Sequence, residues 1–220
     1  MTGGSGGALG VDSTTVPRLR GVSHELAVVP VAAIGVFAVL AAEGRLAATA
    51  LAAHVVMLLL LLSTSAIYHR HCSTERGRTR ARRADHAAIF GLIAGSYVPI
   101  SLLGVPRWVG VPVLVAACAV ALGGARLKMG LELGQDRFHS WMYAALASGG
   151  VLLLPWLVRD VGLFTVMWIV MGGAAYAVGG IVLIRKRPNP WPRTYGFHEI
   201  WHTAVLMGAF CHLGVSISLT

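Results

Sequence analysis

Charge is scarce in this sequence. Asp, Glu, Lys and Arg make up 12% of 220 residues while 56% are hydrophobic, against about 25% charged in an ordinary soluble domain. So small a polar share cannot cover a water-facing globule, which excludes a soluble domain and makes the bilayer the solvent. Acidic groups are scarcer still, nine against 18 basic ones. That excess could point to nucleic acid, but aromatic residues are not interleaved with the basic ones, and the charges fall between apolar segments. No nucleic-acid partner is expected. Cysteine is nearly missing: Cys72, Cys118 and Cys211 are odd in number and form no C-x-x-C pair, which predicts free thiols, with Cys118 and Cys211 buried and Cys72 in a loop. The first 22 residues, rich in Gly, Ser and Thr, lack the apolar core of a signal peptide and read as a short disordered tail. No internal repeat and no soluble domain is visible.

Long apolar runs are present in their place. Seven can be counted, over 26–42, 46–68, 87–103, 108 to about 125, 141–157, 161–184 and 200–219. Each has at least about 17 residues, enough to cross a hydrocarbon core of ~30 Å. The predicted fold is therefore an all-α bundle of seven transmembrane helices over residues 23–220, with its termini on opposite sides. Lys and Arg bias fixes the orientation. One side collects 15 of the 18: Arg18 and Arg20 in the tail, six arginines in the second loop (Arg70, Arg76, Arg78, Arg80, Arg82, Arg83), then Arg126, Lys128 and Arg137 in the loop after the fourth span, and finally Arg185, Lys186, Arg187 and Arg193. The other side has Arg45, Arg107 and Arg159. The N-terminus is expected in the cytoplasm and the C-terminus outside.

This topology gathers chemistry at one leaflet. The second span ends at the basic side with Ser65 and His69, the third begins there with Asp85, and the seventh opens with His198 and His202, four residues apart and so on one helix face. Ionisable groups in a membrane are costly and mark function by default. Three imidazoles and a free position have the composition of a catalytic zinc site. Each element has a plainer reading. Two histidines at a helix start could bond carbonyls at the interface, Ser65 could bond back to its own helix, and His86 points about 100° away from Asp85, as a structural or headgroup contact. His24, His54, His71, His139 and His212 have no ligand-spaced partner, and His212 lies about 15 Å deeper than His202. The glycine pairs at 172–173 and 179–180 suggest close helix packing, and the six tryptophans mostly mark membrane interfaces. The arginine run is first a topology determinant, with anionic lipid headgroups as a plausible partner.

Ser65-x-x-x-His69, Asp85-His86-Ala87-x-Ile89 leading into Ile93-Ala94-Gly95-Ser96-Tyr97-x-Pro99, and His198-x-x-x-His202 resemble the hemolysin III family of bacterial membrane proteins, as does the entry stretch from Pro17 to Glu25. That family is grouped with the progestin and adipoQ receptors and, more distantly, the alkaline ceramidases. The resemblance implies a multi-pass protein of the bacterial cytoplasmic membrane that holds Zn2+ through His69, His198 and His202. It also implies that Asp85 holds the water on the zinc, with Ser65 in support, and that the activity is hydrolysis of a ceramide-like lipid amide or the red-cell lysis that gives the family its name. His198-Glu199-x-x-His202 additionally spells H-E-x-x-H, whose glutamate is a metalloprotease base. Glu199 is therefore a second candidate for the base, or a partner of the arginine-rich loop.

Chemistry favours a zinc-dependent hydrolase of a membrane-lipid amide or ester, since zinc acidifies water and polarises a carbonyl and Asp85 is placed to take the proton. A pore would need a polar stripe along a span, and none is seen. A lipid-binding receptor with structural zinc would not need Asp85. An intramembrane protease would rest on Glu199 alone.

Overall fold

In a computed structural model that describes residues 16–130 and 141–220, the chain folds into helices alone apart from one isolated β-bridge, Trp191 to Tyr195. Of the tail expected over 1–22, residues 1–15 lie outside the described residues, as do the loop residues Glu132, Asp136, Arg137 and His139, while 16–21 lead through a turn into α1, which takes in Val22. The helices are α1 (Val22–Ala41), α2 (Arg45–Ala66), α3 (Glu75–Leu103), α4 (Arg107–Gly130), α5 (Trp141–Ser148), α6 (Leu154–Asp160), α7 (Leu163–Arg185) and α8 (Phe197–Ser218). Among the described residues seven helical units are long and apolar enough to cross a membrane, the fifth being α5 and α6 joined by a 3-10 turn, Gly149–Leu153. The expected seven-span, all-α architecture is the one found.

Two expectations about its edges need correction. The arginine-rich stretch is no loop, because α3 begins at Glu75 and carries Arg76 to Arg83 as its first two turns. Thr74 caps it, its hydroxyl accepting from the Gly77 N–H at 3.1 Å, and Arg and Ala are good helix formers whatever their hydropathy. Arg126 and Lys128 likewise continue α4, and Lys128 is 2% exposed, its ammonium 5.5 Å from the Tyr143 ring. Hydropathy locates where a helix meets lipid; helix propensity decides how far it runs on into the headgroups.

Packing follows chain order, α1 on α2, α2 on α3, α3 on α4 and α7 on α8, while α8 returns to touch α1, α2 and α3. One apolar core, including Val31, Leu51, Leu58, Leu62, Leu92 and Ala209, joins α1, α2, α3 and α8. A second, around Phe90, Leu153 and Leu157, joins α3 to the fifth and sixth spans. Gly179 lets α8 approach α7, since a Cβ there would stand 2.6 Å from Ala204 and 2.9 Å from Trp201. Trp201 is therefore a packing residue, whereas Trp108, Trp141 and Trp191 are more than 60% exposed, as interface markers are. All three cysteines are free and Cys211 is buried; Cys118, expected to be buried, is exposed on α4.

A candidate metal centre at the basic end

The regular winding of α2 stops at Ala66, and one π-helical turn, Ile67–His71, follows. Widening a helix to i→i+5 bonding re-aims its side chains and is frequent at functional sites. It directs His69 toward α8, where its ring centroid lies 5.0 Å from that of His198 and 4.9 Å from that of His202. His198 and His202 are themselves 4.7 Å apart. One ring nitrogen from each of the three falls within 4.8 Å of the others. His198 Nε2 and His202 Nδ1 are buried and have no hydrogen-bond partner. Buried polar atoms are almost always satisfied, so two open nitrogens in a trio of imidazoles this close are what a metal-binding site needs. The donor set suits zinc, for which three imidazoles leave one coordination position free.

One helical turn before His69, Ser65 is 1% exposed and its hydroxyl lies beside the carboxylate of Asp85 on α3, itself 8% exposed. The structure thus joins Asp85 to Ser65, and α3 packs against the π turn that carries His69. Glu199 has different employment. Its Oε1 accepts from Arg20 Nε at 2.5 Å and its Oε2 accepts from the Gly196 N–H at 2.8 Å, capping α8. At 3% exposure with both oxygens engaged it serves as a buried anchor. Its partner is Arg20, ahead of α1, rather than the arginine-rich stretch. His86 is held through its backbone, its carbonyl accepting from the Tyr143 hydroxyl at 2.9 Å.

The segment ahead of α1 belongs to the site, which the sequence reading did not anticipate. Backbone N–H groups of Arg18 and Leu19 donate to the carbonyls of Arg193 and Thr194 at 3.0 and 3.1 Å. Glu25 pairs with Arg70 and accepts from His71 at 2.8 Å. Gly21 adopts a left-handed φ of 75° and sits so close to His69 that a Cβ would come within 2.7 Å of the histidine Cβ. His24, 3% exposed, stacks on His202 with ring centroids 4.1 Å apart and planes 8° from parallel, both its nitrogens unpartnered. The signal was available: residue 24 enters the bundle from the basic side, so a fourth imidazole had to sit at the depth of the other three. His54 and His212 stay apart from this centre. His54 Nδ1 donates to Ser216 Oγ at 2.8 Å, the Ser216 hydroxyl donates to the His212 carbonyl, and the His212 ring rests beside Tyr176.

A seven-span integral membrane protein with a largely buried three-histidine cluster between its second and seventh spans is the class that fold and site define. Within that class the haemolysin-III-related family matches residues 13–213, and the chain belongs to it. It is 28% identical over 161 residues to the hemolysin-3 homolog of Bacillus subtilis (strain 168), covering 71% of this chain and 72% of that protein. To the hemolysin-3 of Bacillus cereus it is 27% identical over 133 residues, 59% of this chain and 58% of that one.

Proposed function

We infer that this chain is a zinc-dependent hydrolase of a membrane-lipid amide or ester, working at the basic end of the bundle. The observation that carries the reading is the set of three imidazoles whose ring nitrogens fall within 4.8 Å of one another, two of them with a buried nitrogen that has no partner, on elements packed against the helix that carries the buried Asp85. His69, His198 and His202 hold the metal. When bound, zinc supplies Lewis acidity toward a carbonyl and acidifies water. Asp85 is the proton acceptor, its carboxylate oxygen taking the proton of the attacking water. The Ser65 hydroxyl fixes that carboxylate and leaves its remaining lone pairs for the water. Glu199, with both oxygens occupied, is assigned to structure, which argues against protease chemistry built on H-E-x-x-H. The basic end corresponds to the cytoplasmic leaflet by charge bias, and the bacterial relatives support a bacterial cytoplasmic membrane.

The relatives' names suggest red-cell lysis. A lytic pore needs a polar lining through the bilayer, whereas among the described residues the buried polar side chains gather at the basic end and around His54, with Ser101 alone toward the far end of α3. That distribution favours the hydrolase.

The test is elemental analysis of purified wild type beside His69→Ala, His202→Ala and Asp85→Asn, followed by hydrolysis of a fluorescent short-chain ceramide. About one zinc per chain in wild type and Asp85→Asn, its loss in both histidine variants, and turnover lost in Asp85→Asn would support the reading. Wild type free of zinc would end it. Turnover unchanged in Asp85→Asn would leave a metal-binding protein without the assigned base.

A further inference from the structure

A second feature stands on another side of α3, away from the histidines. A groove of about 410 Å³ runs between α2, α3 and α4, floored by small residues of α3, among them Ala84, Ala87, Gly91 and Ala94, and walled by Thr64 of α2 and Ala121 of α4. Its volume is that of a small-ligand site. Leu122 on its rim is 54% exposed, so it opens outward to lipid. Asp85 lies ~100° around the helix from Ala84, facing the bundle.

Length and charge select the occupant. From Ala84 to Ala94 the floor extends ~15 Å, half of a ~30 Å hydrocarbon core, so the groove spans one leaflet and ends near the bilayer middle. Toward the basic end the same stripe continues by i,i+4 steps from Ala84 to Arg80 and from Ala87 to Arg83. Arg80 is exposed and Arg83 partly so, and neither has an ion-pair partner among the described residues. An apolar slot one leaflet deep, headed by two unpaired guanidinium groups, complements a single acyl chain beneath a phosphate. Guanidinium is the side chain best shaped for a phosphate, and small residues leave room where larger ones would close the slot.

We propose that this groove is a binding site for an anionic phospholipid of the leaflet at the basic end, one acyl chain lying along α3 and the phosphate held between Arg80 and Arg83. The site is separate from the histidine cluster and does not depend on its being a metal centre.

The full-length protein in mild detergent is examined by native mass spectrometry with phosphatidylglycerol or phosphatidylcholine carrying identical chains. Wild type retains phosphatidylglycerol preferentially. In Arg80→Gln/Arg83→Gln the preference falls by about thirty-fold, or ~2 kcal/mol at ~1 kcal/mol per arginine. Ala121→Leu, which fills the groove, reduces retention of both lipids. Cys118 lines the groove and is exposed, so a second readout needs no groove mutation. In a Cys72→Ser background, maleimide modifies Cys118 several-fold more slowly in phosphatidylglycerol nanodiscs than in phosphatidylcholine ones. Equal retention in the arginine and groove variants, or equal Cys118 rates in the two lipids, overturns the proposal. So does a dimer that sheds lipid and is lost in Ala121→Leu, which would give the groove to a second copy of the chain.

Discussion

Gly21→Ala is the sharpest probe of how the segment before α1 acts on the histidine cluster. Two costs combine. A φ of 75° is left-handed, which costs an L-residue roughly 1–2 kcal/mol. The new methyl would stand 2.7 Å from His69 Cβ and 3.3 Å from Arg70 Cγ, against ~3.5–4.0 Å for carbon contacts, so His69 must retreat by about 1 Å. A metal site tolerates ~0.2 Å in its ligand distances. Zinc affinity should therefore fall at least as far as on losing a supporting hydrogen bond to a ligand, about 10–100-fold. Gly44→Ala supplies the control. Its φ of 92° with ψ of 161° is still less favourable to alanine than the backbone of Gly21, but no atom lies within 4 Å of its would-be Cβ. Both variants should melt earlier; only Gly21→Ala should lose zinc. The assay is zinc competition against a chromophoric chelator alongside thermal unfolding in detergent. If Gly21→Ala kept wild-type zinc affinity while unfolding like Gly44→Ala, the coupling of this segment to His69 would be refuted.

Other expectations follow from the same geometry. Arg20→Met leaves the buried Glu199 carboxylate with only the Gly196 N–H and should destabilise the protein by about 3 kcal/mol or more; Arg20→Met/Glu199→Gln should recover most of that in denaturant titration. His24→Ala should weaken zinc binding about tenfold by releasing His202, whereas His24→Phe, which keeps a flat ring on it, should weaken binding less. At His54, wholly buried with Nε2 unpartnered, leucine should change stability by less than about 1 kcal/mol; alanine, leaving a cavity, should cost about 2–4 kcal/mol. A large loss in His54→Leu would show that the Ser216 contact matters more than the orphaned nitrogen.

The seven spans were legible because hydropathy is a direct readout of the solvent each segment meets. The ends were not. Arg76 to Arg83 looked like a loop because their charge forbids the hydrocarbon, yet nothing forbids a helix from continuing past it. The meeting of His69 with His198 and His202 was legible from spacing and charge bias, which placed them at one depth. Glu199 misled, because H-E-x-x-H describes a helix face and is silent on what already occupies its glutamate; here Arg20 and the helix cap do. His24 and Gly21 went unassigned for the opposite reason. Depth alone pointed to His24; the roles themselves come from contacts across the bundle, a stacked ring and a missing Cβ, which leave no periodic trace in sequence.

The division of the histidine cluster between α2 and α8 sets an order on assembly. His69 is synthesised more than a hundred residues before His198 and His202, an interval of roughly 6–26 s at ordinary elongation rates of ~5–20 residues per second. During that time α1 to α4 can already pair with one another, since each contacts its neighbour in sequence. The imidazole of His69 meanwhile lacks both of its α8 partners. Only when α8 enters against α1, α2 and α3 does the cluster exist, and the same step buries Glu199 against Arg20. Closing the bundle and creating its polar centre are one event, so a chain that stalls before its seventh span has spans but no site, and ion capture would report complete insertion.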